Sequence, residues 1–208
     1  MTSTIEKCTL HPINLHNPTE FTELQRQRHK CGWLYDNAAL ETWRSKQDAR
    51  LKSFFWIIIP SNTGPDHIRA GHISLDSYTD PPDLELASSD RSALTIQTFF
   101  ILPEYRGDGL GRKAMDLVEA LATQEPYGSR ECEYVTMTSM SKKYYYSEEV
   151  EWRGIWERLV RERPVVCPVD WYERRGYVRW KSEPRFREVD VDGEEVVIVA
   201  DFLRRALT

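Results

Sequence analysis

Apolar residues recur along the chain with two different periods, and together these periods predict a mixed α/β fold. Residues 54–59 (FFWIII) are apolar throughout and rich in aromatic and β-branched side chains, which is typical of a buried strand. A polar turn at residues 61–66 separates them from residues 68–75, so the two runs are expected to form a hairpin. Further strands are predicted at residues 94–102, 134–138, 177–180 and 196–202, and helices at residues 17–30, from residue 37 on, and at 112–123, 150–163 and 171–175.

The most informative segment joins the strand predicted at residues 94–102 to the helix predicted at residues 112–123. It reads PEYRGDGLG over residues 103–111, with glycines at positions 107, 109 and 111. Backbone amides of such a loop and of the first helical turn point at one spot, where the helix dipole also favours negative charge. Glycines allow a phosphate to approach those amides closely. The segment therefore predicts a phosphate or pyrophosphate site, with a tight turn that binds no ligand as the alternative.

Spacing excludes two other phosphate-binding motifs. The pattern GxxxxGK[ST] fails because Arg112, Lys113 and Ala114 follow the last glycine, and GxGxxG fails because the glycines are spaced GxGxG.

Composition narrows the classes of partner and cofactor. A hydrophobic share of 40% and an aromatic share of 12% argue against disorder, and the net charge of −5 without a basic block argues against nucleic acid as a partner. The sequence has no CxxC pair and no HExxH pattern, so no metal is expected. The N-terminal residues are polar and no apolar run could span a bilayer, so we expect a cytoplasmic protein without a membrane partner.

Two motifs together resemble the GNAT superfamily of acetyl-CoA-dependent N-acetyltransferases. Residues 106–111 (RGDGLG) match that family's phosphate loop, [Q/R]-x-x-G-x-[G/A], and residues 171–177 (WYERRGY) resemble its aromatic-Tyr-x-x-x-Gly-aromatic motif. The resemblance extends over roughly residues 54–202, and the predicted elements follow the family's order. It implies an α/β (α+β) GNAT fold over one domain, residues 1–208. The central sheet would be mixed, mostly antiparallel, flanked by helices and splayed at the central strands.

The resemblance also implies a binding site for acetyl-CoA, the co-substrate. The pantetheine arm would pair with backbone groups of Phe99, Phe100 and Ile101, in the manner of an added strand. The pyrophosphate would be held by the loop and helix start, which comprise Arg106, Gly107, Asp108, Gly109, Leu110, Gly111 and Arg112. Tyr172 would protonate the departing thiolate as general acid, because an ordinary phenol has a pKa of about 10, close to that of a thiol. No acyl-enzyme is expected, since neither motif contains a cysteine.

The general base departs from the family pattern. Some members carry a glutamate at one of two strand positions, where this chain has Thr95 and a threonine near residue 136. Four side chains are alternatives, and a base supplied by solvent through ordered water is equally compatible; the four are Asp76, Glu133, Asp170 and His72.

A second departure is an insert at about residues 140–169, where the family usually has a short connection. Together with the loop at residues 78–90, the insert is expected to shape the acceptor site; the alternative is that its Tyr144, Tyr145 and Tyr146 simply cover the sheet edge.

These observations favour an N-acetyltransferase that acts on a primary amine. A small molecule is the preferred acceptor, and a protein or peptide amine is the alternative. A non-catalytic acyl-CoA-binding module is a competing hypothesis, motivated by the absent strand carboxylate. The apolar segment at residues 196–202 (VVIVADF) also suggests a homodimer formed through an exposed strand edge.

Overall fold

The computed structural model describes residues 8–61, 67–161 and 163–207. The fold is mixed α/β, with a large, mostly antiparallel open sheet flanked by helices, which confirms the predicted fold class. Two compact units make up the chain: Met1–Val135 with Leu207–Thr208, and Thr136–Ala206. A single domain over residues 1–208 stays a prediction.

The first unit combines a set of antiparallel strands with α-helices. Strands β1, β2 and β3 form an antiparallel series, and β3 also pairs with both β4 and β5. In chain order the elements are β1 (Thr9–Pro12), α1 (Pro18–Cys31), α2 (Asn37–Asp48), β2 (Lys52–Pro60), β3 (His67–Asp76), β4 (Ala93–Thr95), β5 (Phe99–Ile101), a 3₁₀ turn (Pro103–Tyr105) and α3 (Leu110–Leu121).

Local capping fixes the starts of the first two helices. The Asn17 side chain accepts hydrogen bonds from the amides of Thr19 and Glu20, and Asp36 caps α2 through the amide of Ala39. The apolar faces of both helices cover one face of the sheet, where Trp43 lies against Phe54 with 5.1 Å between ring centroids.

The strand predicted at residues 94–102 is in fact two strands. Residues 96–98 separate β4 from β5, and this is a correction to the sequence-based prediction. The cause is a side-chain hydrogen bond: the Thr98 amide donates to Ser74 Oγ at 3.2 Å, while the Thr98 carbonyl accepts from the Ser74 amide at 2.9 Å. A hydroxyl thus replaces a carbonyl acceptor in the ladder, and the pairing is interrupted as at a bulge.

The second unit combines a hairpin of long strands with several short helices. Its elements are most of β6 (Tyr134–Met140), then α4 (Lys143–Tyr146), α5 (Val150–Arg153), α6 (Ile155–Arg158), α7 (Pro168–Glu173), β7 (Val178–Val189) and β8 (Glu195–Ala206). The single helix predicted at residues 150–163 is wrong, because the segment forms α5 and α6 with Gly154 between them, and glycine disfavours a helix interior. The hairpin turn is closed by Asp190, whose Oδ1 accepts from the amides of Asp192 and Glu194 at 3.0 Å each.

Strand β8 is an internal strand of the second unit. It lies between β6 and β7, so the expectation that residues 196–202 form an exposed apolar edge is wrong. The outer strand is β7, which carries exposed charged residues and Pro184, and such residues discourage edge-to-edge pairing. Homodimer formation itself stays a prediction.

Candidate active site

The glycine-rich loop has the backbone geometry of an anion cradle. Gly107 and Gly109 adopt φ values of +102° and +89°, a left-handed region that favours glycine. Gly109 is the N-cap of α3 and supplies no side-chain cap. Helix α3 begins at Leu110, two residues before the predicted start, so Leu110, Gly111 and Arg112 form its first turn. Amides of a first turn have no acceptor within their own helix, and they point along the axis toward the loop.

The side chain of Arg106 ties the loop back to the strand that precedes it. Arg106 Nε donates to the carbonyl oxygen of Ile101 at 2.8 Å, and its guanidinium carbon lies 5.3 Å from the centre of the Phe100 ring. The sequence motif did not indicate this role, because it requires Arg106 to turn back toward residues five and six positions earlier. The loop is therefore held by a contact from within its own motif.

Strand β5 is seated closely on β3. Gly71 is opposite Ile101 and His72 is opposite Phe100, and the Leu102 amide donates to the Ala70 carbonyl at 2.9 Å. A Cβ atom on Gly71 would lie 2.2 Å from the Phe100 carbonyl oxygen. Gly71 is thus required for this approach, and an isolated glycine within a predicted strand was the available sequence signal.

A buried ion pair lies beside the break between β4 and β5. Lys52 Nζ is 2.7 Å from Asp76 Oδ2, and neither side chain is exposed. The same oxygen accepts from Ser74 Oγ at 2.8 Å and from Gln97 Nε2 at 3.0 Å. Burial lowers the pKa of Lys52, while the neighbouring carboxylate opposes that change. The ion pair therefore fixes Gln97, which lies in the strand break, and Ser74, which pairs with the break from β3.

His72 is buried on the same face of β3. Its Nδ1 is 3.0 Å from Gln27 Oε1, which assigns the proton to Nδ1, and its Nε2 faces Arg28 Nη1 at 3.5 Å. Burial, and then the positive charges of Arg28 and Lys52, lower the pKa of His72 well below its ordinary value. Both ring nitrogens are engaged and the ring is inaccessible, so His72 is poorly placed to accept a substrate proton.

Two of the remaining three candidate bases are held in structural interactions. Asp76 is fully buried in its ion pair, and Asp170 binds Lys142 and Tyr146, hydrogen bonds that lower the pKa of this carboxyl. Glu133 is exposed, and its backbone bonds to Ser92 and Leu207. Three of the four predicted candidates are thus committed to structural interactions.

Tyr172 lies in α7 of the second unit. Its ring contacts Trp171 and Tyr177 at centroid distances of 5.0 and 5.9 Å. The residue as a whole is only partly buried, yet burial of the phenol raises the pKa of Tyr172 to about 12, with the Arg175 guanidinium acting in the opposite direction. The phenol therefore remains protonated through the alkaline range.

The tyrosines of the predicted insert have different roles. Tyr144 and Tyr145 are buried, and the Tyr144 hydroxyl accepts from the Val199 amide at 2.8 Å. Trp156 is buried against them and donates from Nε1 to the Tyr144 carbonyl at 3.1 Å. Tyr146 is exposed. Most of these aromatic residues therefore form a small core of the insert, which favours the covering role for them and leaves Tyr146 as a surface residue.

A separate cleft of about 780 Å³ lies in the first unit. Its lining includes Trp56, Leu102, Glu104 and Tyr105 together with histidine, arginine and glutamate side chains, but neither Phe99–Ile101 nor residues 106–112. The cleft and the predicted CoA site are therefore different features.

Two further features are absent from the part of the chain that the structure describes. Among residues 8–61, 67–161 and 163–207, none of the helices combines the length and apolar character needed to traverse a lipid bilayer. Across the same residues, no group of three or more His, Cys, Asp and Glu side chains is arranged to hold a metal ion.

Comparison with known proteins identifies the family. Residues 18–145, more than half of the chain, match the sequence profile of the acetyltransferase (GNAT) family. No curated protein matches the chain in sequence.

Solved structures of similar fold include several N-acetyltransferases. A spermidine N-acetyltransferase SpeG chimera from Vibrio cholerae and hSSAT matches with a TM-score of 0.57 at 10% identity, over 96% of this chain and 95% of that chain. An aminoglycoside 6'-N-acetyltransferase complexed with coenzyme A matches with a TM-score of 0.58 at 10% identity, over 95% and 96% of the two chains. Arabidopsis thaliana NAA60 in complex with a bisubstrate analogue matches with a TM-score of 0.59 at 12% identity, over 97% and 99%. At this identity the structures show the fold alone, whereas the sequence profile shows that the chain belongs to the GNAT acetyltransferase family.

Proposed function

We propose that this protein transfers the acetyl group of acetyl-CoA to a primary amine, preferably that of a small molecule. One observation carries the proposal: an uncapped helix start at Leu110 directly follows two glycines of left-handed backbone conformation. Family membership supplies the reaction class, and this loop supplies the place where a diphosphate would bind.

Acetyl-CoA would be bound mainly through the backbone of the first unit. The pyrophosphate would accept hydrogen bonds from amides of residues 107–112, where positive φ values at Gly107 and Gly109 turn the chain around the anion. The Arg106 amide is not among them, because it donates to the Pro103 carbonyl oxygen at 3.2 Å. The pantetheine arm would lie along the edge of β5 that faces away from β3, near Phe99, Phe100 and Ile101, as an added strand. Structural relatives crystallised with coenzyme A or acetyl-CoA support this choice of co-substrate.

The reaction would proceed by direct attack of a neutral amine on the thioester. The nitrogen–carbon bond forms, a backbone amide of β5 stabilises the oxyanion, and the carbon–sulfur bond then breaks. The Tyr172 proton passes to the sulfur, the extra proton on the amine nitrogen passes to water, and solvent restores the phenol. No covalent enzyme intermediate and no metal ion are required.

The raised pKa of Tyr172 bears on its role as an acid. A phenol of pKa about 12 is a weaker acid than the conjugate acid of an ordinary thiolate, whose pKa is about 8.5. Transfer becomes more balanced when the thiolate forms in the same desolvated surroundings, because burial raises the pKa of a thiol as well. Burial therefore keeps Tyr172 protonated without removing it as a proton donor to a buried thiolate.

We assign the role of base to solvent. Asp76, His72 and Asp170 are engaged in structural hydrogen bonds, and no step above requires any of them or the exposed Glu133. An amine supplies its own neutral fraction as the pH rises, and ordered water can carry the released proton away.

Structural relatives support both kinds of acceptor. Two are named for spermidine and for aminoglycosides, and a third is Arabidopsis thaliana Naa50 in complex with the bisubstrate analogue CoA-Ac-MVNAL, whose last part reads as a peptide sequence. We place small amines first and a peptide amine second. A cytoplasmic location, the absence of nucleic-acid and membrane partners, and a homodimer remain predictions from sequence.

A second candidate is an acyl-CoA-binding module without turnover. It is favoured by Thr95 and by the threonine near residue 136, at the two positions where the family pattern places a glutamate that acts as the base. Titration calorimetry with acetyl-CoA, followed by mass spectrometry of a panel of amines and peptides incubated with protein and acetyl-CoA, separates the two. Binding together with a product heavier by one acetyl group supports the enzyme, binding without any product supports the module, and no binding contradicts both.

A further inference from the structure

Helix α7, which carries Tyr172, is too short to be stable without tertiary contacts. It spans six residues, Pro168–Glu173, and its N-cap, Cys167, contributes no side-chain hydrogen bond. Helices of this length are unstable in isolation, so their orientation depends on tertiary contacts. The position of the phenol must therefore be set by whatever holds α7.

A single lysine from the insert holds two residues of α7. Lys142 Nζ lies 2.6 Å from Asp170 Oδ1 and 2.6 Å from Glu173 Oε2. These carboxylates are three positions apart and share one face of the helix, and Trp171 and Tyr172 lie between them in sequence. Both hydrogen bonds raise the pKa of Lys142, which stays charged.

Lys142 is itself fixed to a buried group of the sheet. Its backbone amide donates to Asp201 Oδ2 at 2.9 Å, and Asp201 of β8 is fully buried. Ser141 Oγ donates to Asp201 Oδ1 at 3.0 Å, and Ser182 Oγ donates to the same oxygen. A continuous chain of hydrogen bonds thus leads from the buried carboxylate of β8, through Lys142, to α7.

A tyrosine supports the same connection from α4. The Tyr146 hydroxyl donates to Asp170 Oδ2, the oxygen that Lys142 does not bind. Both oxygens of Asp170 are therefore used, and rotation of its carboxylate is prevented. An isolated surface ion pair contributes little to stability. Here one lysine with a fixed backbone binds two carboxylates of the same helix, and this restricts the orientation of α7.

We propose that Lys142 is a positioning residue for Tyr172: by binding Asp170 and Glu173 it sets the orientation of α7 relative to β8, and so aims the phenol. The inference rests on the proposed function insofar as Tyr172 is the general acid. Lys142 lies at the start of the segment that the sequence predicts as an insert, at about residues 140–169.

The test compares four variants of the full chain. Lys142→Met removes both ion pairs to α7, whereas Lys142→Arg retains a cation that can bind two carboxylates. Lys143→Met is the matched control, because that exposed lysine contacts α5 and not α7: its Nζ lies 4.8 Å from the centre of the Trp152 ring. We expect Lys142→Met to lower kcat about 10- to 100-fold with an unchanged KM for acetyl-CoA, as small misplacements of a reacting group do. Lys142→Arg should recover most of the loss, and Lys143→Met should match the parent. Glu173→Gln removes only one of the two ion pairs of Lys142, so its kcat should lie between that of Lys142→Met and that of the parent.

Amide hydrogen exchange tests whether Lys142 orders α7 independently of whether Tyr172 is the general acid. The amides of residues 171–177 should exchange faster in Lys142→Met and not in Lys143→Met. Unchanged exchange there would overturn the inference whatever the kinetics show, and faster exchange with unchanged kcat would overturn the positioning role.

A double-mutant cycle with Tyr172→Phe completes the test. If Lys142 acts through the phenol, Lys142→Met lowers kcat no further in the Phe background; additive losses would contradict this. If Tyr172→Phe leaves kcat unchanged, the assignment of the acid fails, while exchange still decides whether Lys142 orders α7.

Discussion

A methyl group on Gly71 would lie 2.2 Å from the carbonyl oxygen of Phe100, closer than any Cβ contact can be. The neighbouring atom is backbone, so relief requires movement of β5 itself. We expect Gly71→Ala to displace the strand proposed to pair with pantetheine, to destabilise the fold by about 1–3 kcal/mol and to weaken acetyl-CoA binding at least about tenfold. Urea denaturation and titration calorimetry measure the two effects.

Gly154→Ala is the matched control for that prediction. Gly154 has a φ of −86°, and a methyl group added there would meet nothing within 4 Å, so alanine should fit. We expect binding and stability close to those of the parent. Parental affinity in Gly71→Ala would show that β5 does not contribute to the CoA site.

Gly109→Ala tests the anion cradle. At a φ of +89°, a Cβ costs about 1–2 kcal/mol, and the loop would relax away from the conformation that directs amides at the diphosphate. Gly32, the C-cap of α1, has a similar φ of +80° and is equally open around a Cβ, so Gly32→Ala carries the same strain at a different place. We expect similar losses of stability in both variants but a loss of acetyl-CoA affinity in Gly109→Ala alone. Equal affinities would remove the loop from the proposed site.

The sequence predicted the parts of the site whose geometry is local. Glycines at 107 and 109 and the following helix are encoded within one segment, so the loop could be located before any coordinates. The break at residues 96–98 could not, because it depends on Ser74 and Asp76, which are some twenty positions away in the sequence and adjacent only through strand pairing.

Long-range contacts also explain why the position of β8 and the role of Lys142 could not be predicted. The apolar run at residues 196–202 fits an edge strand and an internal strand equally well, and only its neighbours β6 and β7 decide. Lys142 gave no signal at all, since a lysine in a polar segment is typical of solvent-exposed loops, and its two acidic partners lie about thirty residues further on. The role of Tyr172 and the residues that contact CoA stay predictions.

Tyr172→Phe should separate binding from turnover. Removal of the hydroxyl leaves the ring contacts with Trp171 and Tyr177 in place, so acetyl-CoA affinity should be unchanged. A positioned acid contributes about 10²- to 10⁴-fold, and kcat should fall by that amount. Calorimetry and steady-state kinetics supply the two numbers. An unchanged kcat would exclude the phenol as the acid.

The raised pKa of this phenol fixes the sign of the pH dependence. The acid works in its protonated form, which with a pKa of about 12 is retained until the pH approaches that value. The neutral fraction of an alkyl amine of pKa about 10.4 increases as the pH rises toward about 10, while the phenol stays protonated. We therefore expect kcat/KM to rise with pH up to about 10 without a descending limb. A descending limb centred below about pH 10 in the parent, and absent from Tyr172→Phe, would contradict the raised pKa.

Lys52→Met should be among the most destabilising single changes in the first unit. The substitution leaves Asp76 buried with only Ser74 and Gln97 as donors, and breaking a buried pair in this way costs about 3–5 kcal/mol. Adding Asp76→Asn removes the unpaired buried charge while keeping a hydrogen-bond acceptor, so the double variant should be more stable than Lys52→Met alone.

The pH dependence of Lys52→Met provides a second test. In Lys52→Met the folded-state pKa of Asp76, already raised by burial, rises further, so the folded state binds more protons than the unfolded state. The deficit relative to the parent should therefore be smaller at pH 5 than at pH 8, as measured by urea denaturation. A deficit independent of pH would mean that packing around residue 52, rather than its charge, stabilises the end of β3.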